Sequence, residues 1–163
     1  QVCTSKDADP DSIFRYVEFP ERVNYVGRLD KDSTGLLLLT NDGDLANEIQ
    51  RSRNNHEKEY HVRVNIDITE DFIKKMSEGV EILDTVTKPC KVKKTGTRNF
   101  SIILTQGLNR QIRRMCDALH VRVVHLKRVR IMNIRLGSLR PGEFRTLTRE
   151  EEQELRRLVQ KRS

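Results

Sequence analysis

The residues best suited to chemistry lie in one short stretch, residues 27–43, which has the sequence Gly-Arg-Leu-Asp-Lys-Asp-Ser-Thr-Gly-Leu-Leu-Leu-Leu-Thr-Asn-Asp-Gly. Within it, two carboxylates, Asp30 and Asp32, and the Thr34 hydroxyl lie between apolar segments. An aspartate held rigidly between two strands can act as a nucleophile, as a base or as a metal ligand. The stretch is therefore compatible with several kinds of site, which require different residues elsewhere in the chain.

A calcium-binding loop is the first of these kinds of site. Asp30, Asp32 and Thr34 would supply oxygen ligands at loop positions 1, 3 and 5, and Gly35 would occupy position 6. Position 12, which requires a bidentate glutamate, is Asn41 instead. The second half of the loop would also be a run of leucines, so the sequence excludes a calcium loop of this type.

A phosphatase nucleophile is the second kind of site. Asp30, Asp32 and Thr34 match the Asp-x-Asp-x-Thr motif that follows an apolar strand in haloacid dehalogenase-type phosphatases. Those enzymes also need a later lysine and a distant acidic pair that holds magnesium. The nearest acidic cluster, at positions 42–44, follows Asp30 by only 12 residues. This interpretation is the weaker alternative, and chelation of magnesium would distinguish it.

Basic residues are concentrated in one part of the chain. The net charge is +7, from 31 basic and 24 acidic residues. Residues 107–145 contain ten basic residues, nine of them arginine, and only two acidic ones, a net charge of +8. The planar guanidinium matches the oxygens of a phosphate. This segregation indicates a polyanionic partner, and nucleic acid fits best.

Three further motifs occur along the chain: Arg-Leu-Asp at 28–30, Lys-Glu-Tyr at 58–60, and Thr-Gln-Gly-Leu-Asn-Arg-Gln-Ile-Arg-Arg-Met at 105–115. Together they resemble the motifs of the RsuA-like family of bacterial ribosomal RNA pseudouridine synthases, and those of the RluF branch most of all. They occur in the family's order, and the similarity extends from about Cys3 to Thr148. The resemblance implies that the chain isomerises uridine to pseudouridine in RNA.

The resemblance also implies a role for each motif residue. Asp30 matches the catalytic aspartate, which acts as nucleophile or as base. Arg113 matches the arginine that pairs with this carboxylate and keeps it ionised, and Tyr60 matches the tyrosine that lies against the target uracil. Arg28 matches an arginine that fills the space left by the extruded nucleotide. Extrusion is expected because the glycosidic bond cannot react while the base is stacked. Lys58 is a weaker candidate for substrate binding.

The partner implied by the resemblance is ribosomal RNA, and 23S rRNA for the RluF branch. Transfer RNA stays open as a second substrate. Phosphate contacts are expected from basic residues of the arginine motif and the strands after it: Arg110, Arg114, Lys127, Arg128 and Arg130. An RNA-binding module that has lost activity is the alternative, and the retention of Asp30, Tyr60 and Arg113 is evidence against it.

No cofactor or metal is expected, because pseudouridine is an isomer of uridine and the reaction needs no redox partner. The three cysteines, Cys3, Cys90 and Cys116, are odd in number and far apart, which indicates a reducing compartment and argues against disulfides or structural zinc. No apolar run is long enough to span a bilayer. We expect a cytoplasmic monomer. The small N-terminal RNA-binding domain and Asn-Lys-Pro strand of the family have no counterpart here, so residues 1–163 are expected to form a single catalytic domain.

Hydrophobic periodicity predicts the elements that position these residues. The predicted strands are 26–29, 36–40, 59–64, 88–93, 100–104, 121–124, 128–134 and 144–147. The predicted helices are 12–17, 44–51, 111–119, one that starts at Thr69 and stops at Gly79, and one opened by the capping box Thr148-x-x-Glu151. Hairpin-length connections between these strands favour an α+β fold, a largely antiparallel sheet flanked by helices.

Overall fold

The computed structural model describes residues 23–51 and 55–162. Their fold is α+β, as predicted, with a mainly antiparallel sheet. The strands are β1 (Asn24–Val26), β2 (Thr34–Gly35), β3 (Leu38–Thr40), β4 (Lys58–Val64), β5 (Glu81–Ile82), β6 (Thr85–Val86), β7 (Lys91–Gly96), β8 (Asn99–Leu104), β9 (Val123–Ile131) and β10 (Ile134–Arg135). The helices among the described residues are α1 (Gly43–Arg51), α2 (Glu70–Glu78), α3 (Gln111–Ala118) and α4 (Arg149–Arg162). Within these ranges no helix is long and apolar enough to cross a membrane.

The central sheet has the strand order β10-β9-β4-β8-β7, and β2 pairs with β9 in parallel. Strand β4 forms because Tyr60, Val62 and Val64 alternate with polar residues and face the core, as predicted. Its neighbours continue this apolar layer, since Val62 pairs with Phe100 of β8 and with Leu126 of β9. Helices α2 and α3 cover the layer and complete the larger core cluster.

A second core cluster lies at the β10 end of the sheet. The short antiparallel pair β1–β3 packs there with α1, α4 and the ends of β9 and β10. Leu155 and Val159 of α4 are buried against Ile49 of α1 and Ile134 of β10. Strand β9 thus contributes to both clusters, and the loops between β1 and β3 lie beside it.

The helix boundaries follow the predicted caps. Thr69 Oγ1 accepts a hydrogen bond of 3.1 Å from the Phe72 amide at the start of α2, and Gly79 caps its end. The capping box of α4 is reciprocal, since the Glu151 amide donates to Thr148 Oγ1 and the Thr148 amide donates to Glu151 Oε1. Helix α3 buries Ile112, Met115 and Cys116 as their spacing predicts.

Several predicted strands have different bounds, for local reasons. The first ends at Val26 because Gly27 has a φ of +75°. Residues 36–40 form a strand only from Leu38 to Thr40. The strand predicted at 88–93 begins at Lys91, since the Cys90 amide donates to Ser77 of α2 instead of to a strand.

Towards the C-terminus, the predicted strands at 121–124 and 128–134 are largely one strand, β9, followed by β10. Residues 144–147 are not a strand, because Arg145 binds Glu151 and Phe144 is exposed. The predicted helix at 12–17 lies outside the described residues. The β5–β6 hairpin was not predicted.

Candidate active site

Asp30 lies on the tight loop that joins β1 to β2. The Ser33 amide donates to the Asp30 carbonyl over 2.9 Å, and the buried Leu29 and Ser33 side chains fix the loop on both sides of the aspartate. The Asp30 side chain is 36% exposed, so its carboxylate is accessible to a large substrate. The turn therefore presents a fixed but open carboxylate.

Glycine is required where this loop meets the sheet. Gly35 has a φ of +116°, and a Cβ atom there would lie 2.2 Å from the Arg128 carbonyl oxygen. Strand β2 therefore approaches β9 more closely than any residue with a side chain allows. This approach sets the position of the Asp30 loop relative to the sheet.

Arg128 holds the same loop from the other side. Its guanidinium donates to the carbonyl of Leu36 over 2.9 Å and to the carbonyl of Arg28 over 3.4 Å. Only 5% of the residue is exposed. The expectation that Arg128 contacts RNA is therefore wrong, because its side chain is used inside the protein to position the loop that contains Asp30.

Two arginines at the start of α3 converge on Asp32. Arg110 makes two parallel hydrogen bonds to the Asp32 carboxylate, of 3.0 and 2.9 Å. Arg113 donates to the Asp32 carbonyl over 2.8 Å, and its Nε lies 3.5 Å from Asp32 Oδ1. Asp32 is thus the residue that ties α3 to the Asp30 loop.

Asp30 lies at the edge of this cluster. Its Oδ2 is 3.9 Å from Nη1 of Arg110, which is its nearest cationic neighbour among the described residues. The sequence predicted that Arg113 would pair with Asp30. That pairing is not present, since Arg113 is bound to Asp32 and lies 3.4 Å from the Ser33 hydroxyl.

The charges of the cluster stabilise one another. The hydrogen bonds from Arg110 hold the pKa of Asp32 below its ordinary value, although burial acts in the opposite direction. The same hydrogen bonds raise the pKa of Arg110. Asp32 is therefore ionised and paired at neutral pH, whereas Asp30 is only approached by a guanidinium.

Glutamine side chains support the loop that leads into α3. Gln111 donates to Gln106 Oε1 over 3.2 Å and accepts from the Leu108 amide over 3.3 Å. Gln106 also accepts from the Lys88 amide over 2.8 Å. Arg110, at the end of this loop, has a left-handed backbone with a φ of +48°, which directs its side chain towards Asp32.

Tyr60 and Lys58 belong to β4, next to the strand that positions the loop. Tyr60 pairs with Arg128 across β4 and β9 and packs half-buried against the larger core cluster. A β-bulge follows at Glu59, and Lys58 then pairs with Ile131. Tyr60 and Arg128 thus share the sheet face that α3 covers, and this places the tyrosine on the side of the sheet where the arginine cluster lies.

The remaining predicted RNA contacts differ in their surroundings. The Arg130 side chain is 11% exposed and binds both Glu57 and Glu59, so its predicted contact with RNA stays a prediction. Arg114, in the first turn of α3, donates to the carbonyl and side chain of Asn109 in the preceding loop. Lys127 is half-buried on β9, opposite Thr34. The Arg28 side chain is exposed at the mouth of the loop.

The sequence did not reveal Asp32 as the centre of this cluster. Asp32 was noted only as a motif residue of calcium loops and phosphatases, and its partners are 78 and 81 residues away. The phosphatase interpretation receives no support, because this motif carboxylate is bound to two arginines. Among residues 23–51 and 55–162, no group of three or more His, Cys, Asp or Glu could hold a metal ion.

Comparison with known proteins places the chain in a family. Residues 4–118 match the family model described as RNA pseudouridylate synthase. The chain is 52% identical over 162 residues to the dual-specificity RNA pseudouridine synthase RluF of Escherichia coli K12, covering 99% of this chain and 56% of that protein. It is 34% identical to ribosomal large subunit pseudouridine synthase B of Bacillus subtilis, covering 88% of this chain and 62% of that protein.

A solved structure agrees with these sequence matches. A crystal structure of a pseudouridylate synthase superposes with a TM-score of 0.82 at 33% identity, covering 88% of this chain and 65% of that one. The chain belongs to the RNA pseudouridylate synthase family. Within it, the chain is an RluF-like member of the RsuA branch, and it spans about half the length of the RluF relatives it matches.

Proposed function

We propose that this protein isomerises uridine to pseudouridine in ribosomal RNA, with Asp30 as the catalytic residue and 23S rRNA as the substrate. The observation that supports this most directly is the placement of Asp30. Its open carboxylate is held in place by the close approach of Gly35 to β9 and by the buried Arg128, and the Arg110 guanidinium lies 3.9 Å from it. The names of the RluF relatives support the same activity.

The chemistry needs a carboxylate at the sugar. The bond between the ribose C1′ and the uracil nitrogen breaks, the base rotates, and a new bond forms between C1′ and a ring carbon. That carbon loses its proton and the freed nitrogen gains one, so the product is an isomer. Asp30 acts on the sugar, as nucleophile or as base, while the uracil is detached.

Arg110 and Arg113 supply positive charge beside this reaction. A fixed guanidinium favours the anionic state of a detached base and holds a flanking phosphate without any rearrangement during the reaction. Asp32 is a positioning residue, since it holds both side chains and keeps Arg110 from closing onto Asp30.

The other motif residues act on the base and its neighbours. Tyr60, on the covered face of β4, stacks against the uracil of the extruded nucleotide. Exposed Arg28 fills the space that this nucleotide leaves in the RNA. Lys58, on the strand beside the loop, contacts the RNA backbone, as does Arg114 near the start of α3. Lys127 contacts the RNA backbone from the opposite face of the sheet.

A direct experiment tests this function. The protein is incubated with a protein-free 23S rRNA transcript in excess EDTA, and pseudouridine is mapped by carbodiimide modification and primer extension. A new stop that requires the protein is the expected result. If phosphate is released and chelation abolishes that activity, with no new stop, the phosphatase alternative replaces the proposal. A transfer RNA transcript run in parallel tests the second substrate.

A further inference from the structure

The central sheet has a second face, opposite to α2 and α3, that none of the described helices covers. Because side chains alternate along strands, the residues between those of the core project to this side. The register aligns them in rows across the sheet, in which Lys127 lies opposite His61, His61 opposite Ser101, and Ser101 opposite Lys93. We call this the open sheet face, and it comprises Glu59, His61, Arg63, Lys91, Lys93, Asn99, Ser101, Ile103, His125, Lys127, Arg130 and Arg135.

The open sheet face is strongly basic. Five of its side chains are cations that make no ion pair with any described residue: Arg63, Lys91, Lys93, Lys127 and Arg135. The one acidic residue within the strands of this sheet is Glu59, and Arg130 neutralises it at 3.1 Å. The positive charge of this face therefore has no internal partner in the described part of the chain.

The shape and composition of the face indicate what it binds. An open depression of about 720 Å³ lies over β4, β8 and β9, lined by His61, Arg63, Asn99 and His125. The sheet is about 19 Å wide, from four strand spacings of about 4.8 Å. No Phe, Tyr or Trp lies among the residues of the face, and the imidazoles of His61 and His125 are the only rings there, so cations outnumber the rings on which bases could stack. Cations spread over a flat surface match a phosphate backbone.

We propose that the open sheet face is a second RNA-binding surface, which contacts the phosphate backbone of an RNA helix without regard to sequence. This inference rests on the proposed function, since the RNA is a further part of the same substrate. The face is separate from the catalytic site, because Tyr60 and Arg128 project to the opposite side of the sheet. It anchors the RNA while the target uridine is held at Asp30.

A uridine-free RNA duplex tests the surface without involving the catalytic site, because it offers no base to isomerise. Its affinity is measured by filter binding between 50 and 200 mM salt. The test variant is Arg63→Gln/Lys91→Gln/Lys93→Gln. The matched control, Arg51→Gln/Lys74→Gln/Arg149→Gln, removes the same charge from exposed positions on three helices. Circular dichroism and thermal melting verify that both variants are folded.

The expected result is a selective loss for the test variant. Its Kd should rise about tenfold or more at 100 mM salt, and its slope of log affinity against log salt should fall by about 2–3, since each lost phosphate contact contributes about 0.7–0.9. Equal losses in both variants would show a net-charge effect and overturn the proposal, as would wild-type affinity in the test variant. Pseudouridine formation in 23S rRNA by the wild-type protein is measured in a separate experiment. A failure of the proposed catalytic function would therefore be distinguished from a failure of the proposed binding surface.

Discussion

Replacing Asp32 by asparagine should slow the proposed reaction, although the proposed catalytic residue is Asp30. In the wild-type protein the Asp32 carboxylate accepts both hydrogen bonds from the Arg110 guanidinium. Without that charge, the nearest carboxylate for Arg110 is Asp30, whose Oδ2 is already 3.9 Å away. Arg110 should then close onto Asp30 and compete with the ribose for it. Arg113 should move less, because it also donates to the carbonyl of residue 32.

The size of the effect follows from the charges and their exposure. Two unit charges about 4 Å apart attract by about 1 kcal/mol in water and about 4 kcal/mol at an effective dielectric constant of 20. Arg110 and Asp30 are both more than a third exposed, so a value near the lower figure applies. A gain of about 1.4 kcal/mol for the closed pair corresponds to a loss in kcat/KM of about tenfold. The stability of the fold should fall by less than about 1 kcal/mol, as for other exposed ion pairs.

A double-mutant cycle distinguishes this explanation from a general loss of structure. Single-turnover rates of pseudouridine formation are measured for Asp32→Asn, Arg110→Gln and the double variant. Asp32→Asn should cost less than about twofold in the Arg110→Gln background, because no guanidinium remains to close onto Asp30. Asp67→Asn is the matched control, since it breaks an exposed ion pair between Asp67, in the loop after β4, and Arg98, on the turn between β7 and β8. Equal rates for Asp32→Asn and Asp67→Asn would refute the reasoning.

Three further predictions concern the fold that supports the site. Gly35→Ala should destabilise the protein by about 2 kcal/mol or more and lower its activity, since the new Cβ would clash with the Arg128 carbonyl oxygen. Urea unfolding measures the loss of stability, and an unchanged unfolding midpoint would contradict this prediction. Hydrogen bonds from Arg145, and secondly from the Thr148 amide, lower the pKa of Glu151 to about 2. The ionised Glu151 therefore stabilises the fold above pH 4.5, and this stabilisation is lost as the pH falls towards 2. Glu151→Gln should therefore unfold more readily than wild type at pH 6, and the difference should shrink by pH 3; a difference that is constant with pH would contradict this. Burial raises the pKa of the Cys116 thiol to about 12, so iodoacetamide should label Cys116 at pH 7.5 only in denaturant, as peptide mass spectrometry can show.

Local patterns were sufficient to predict the elements that form the larger core. The alternation in 59–64 and the spacing of Ile112, Met115 and Cys116 each match one face of a strand or helix, so burial followed directly. Strand β9 was predicted as two pieces because the polar residues His125 and Lys127 lie in the gap between the predicted strands, at 125–127. The β5–β6 hairpin was missed because Leu83 and Asp84 adopt the positive φ values that its turn requires, although glycine or asparagine is typical there.

The candidate site was predictable in its residue types but not in its pairing. The motif resemblance predicted a site at Asp30, Tyr60 and the arginines at 110–114, and α3 does bring the arginines to the Asp30 loop. The choice of Asp32 rather than Asp30 as their partner depends on a contact between residues about 80 positions apart. No local spacing encodes such a contact. The burial of Arg128 was missed for the same reason, since a basic residue in a basic segment gives no local sign that it is buried.

The role of Asp30 is tested most directly by one substitution measured in two ways. Asp30→Asn keeps the shape of the side chain and removes its charge, so the variant should form no pseudouridine in 23S rRNA by primer extension. Its Kd for the same RNA should stay within about threefold of wild type, because the phosphate contacts come from other residues. Loss of activity with retained affinity is the predicted result. Continued formation of pseudouridine by Asp30→Asn would contradict the account.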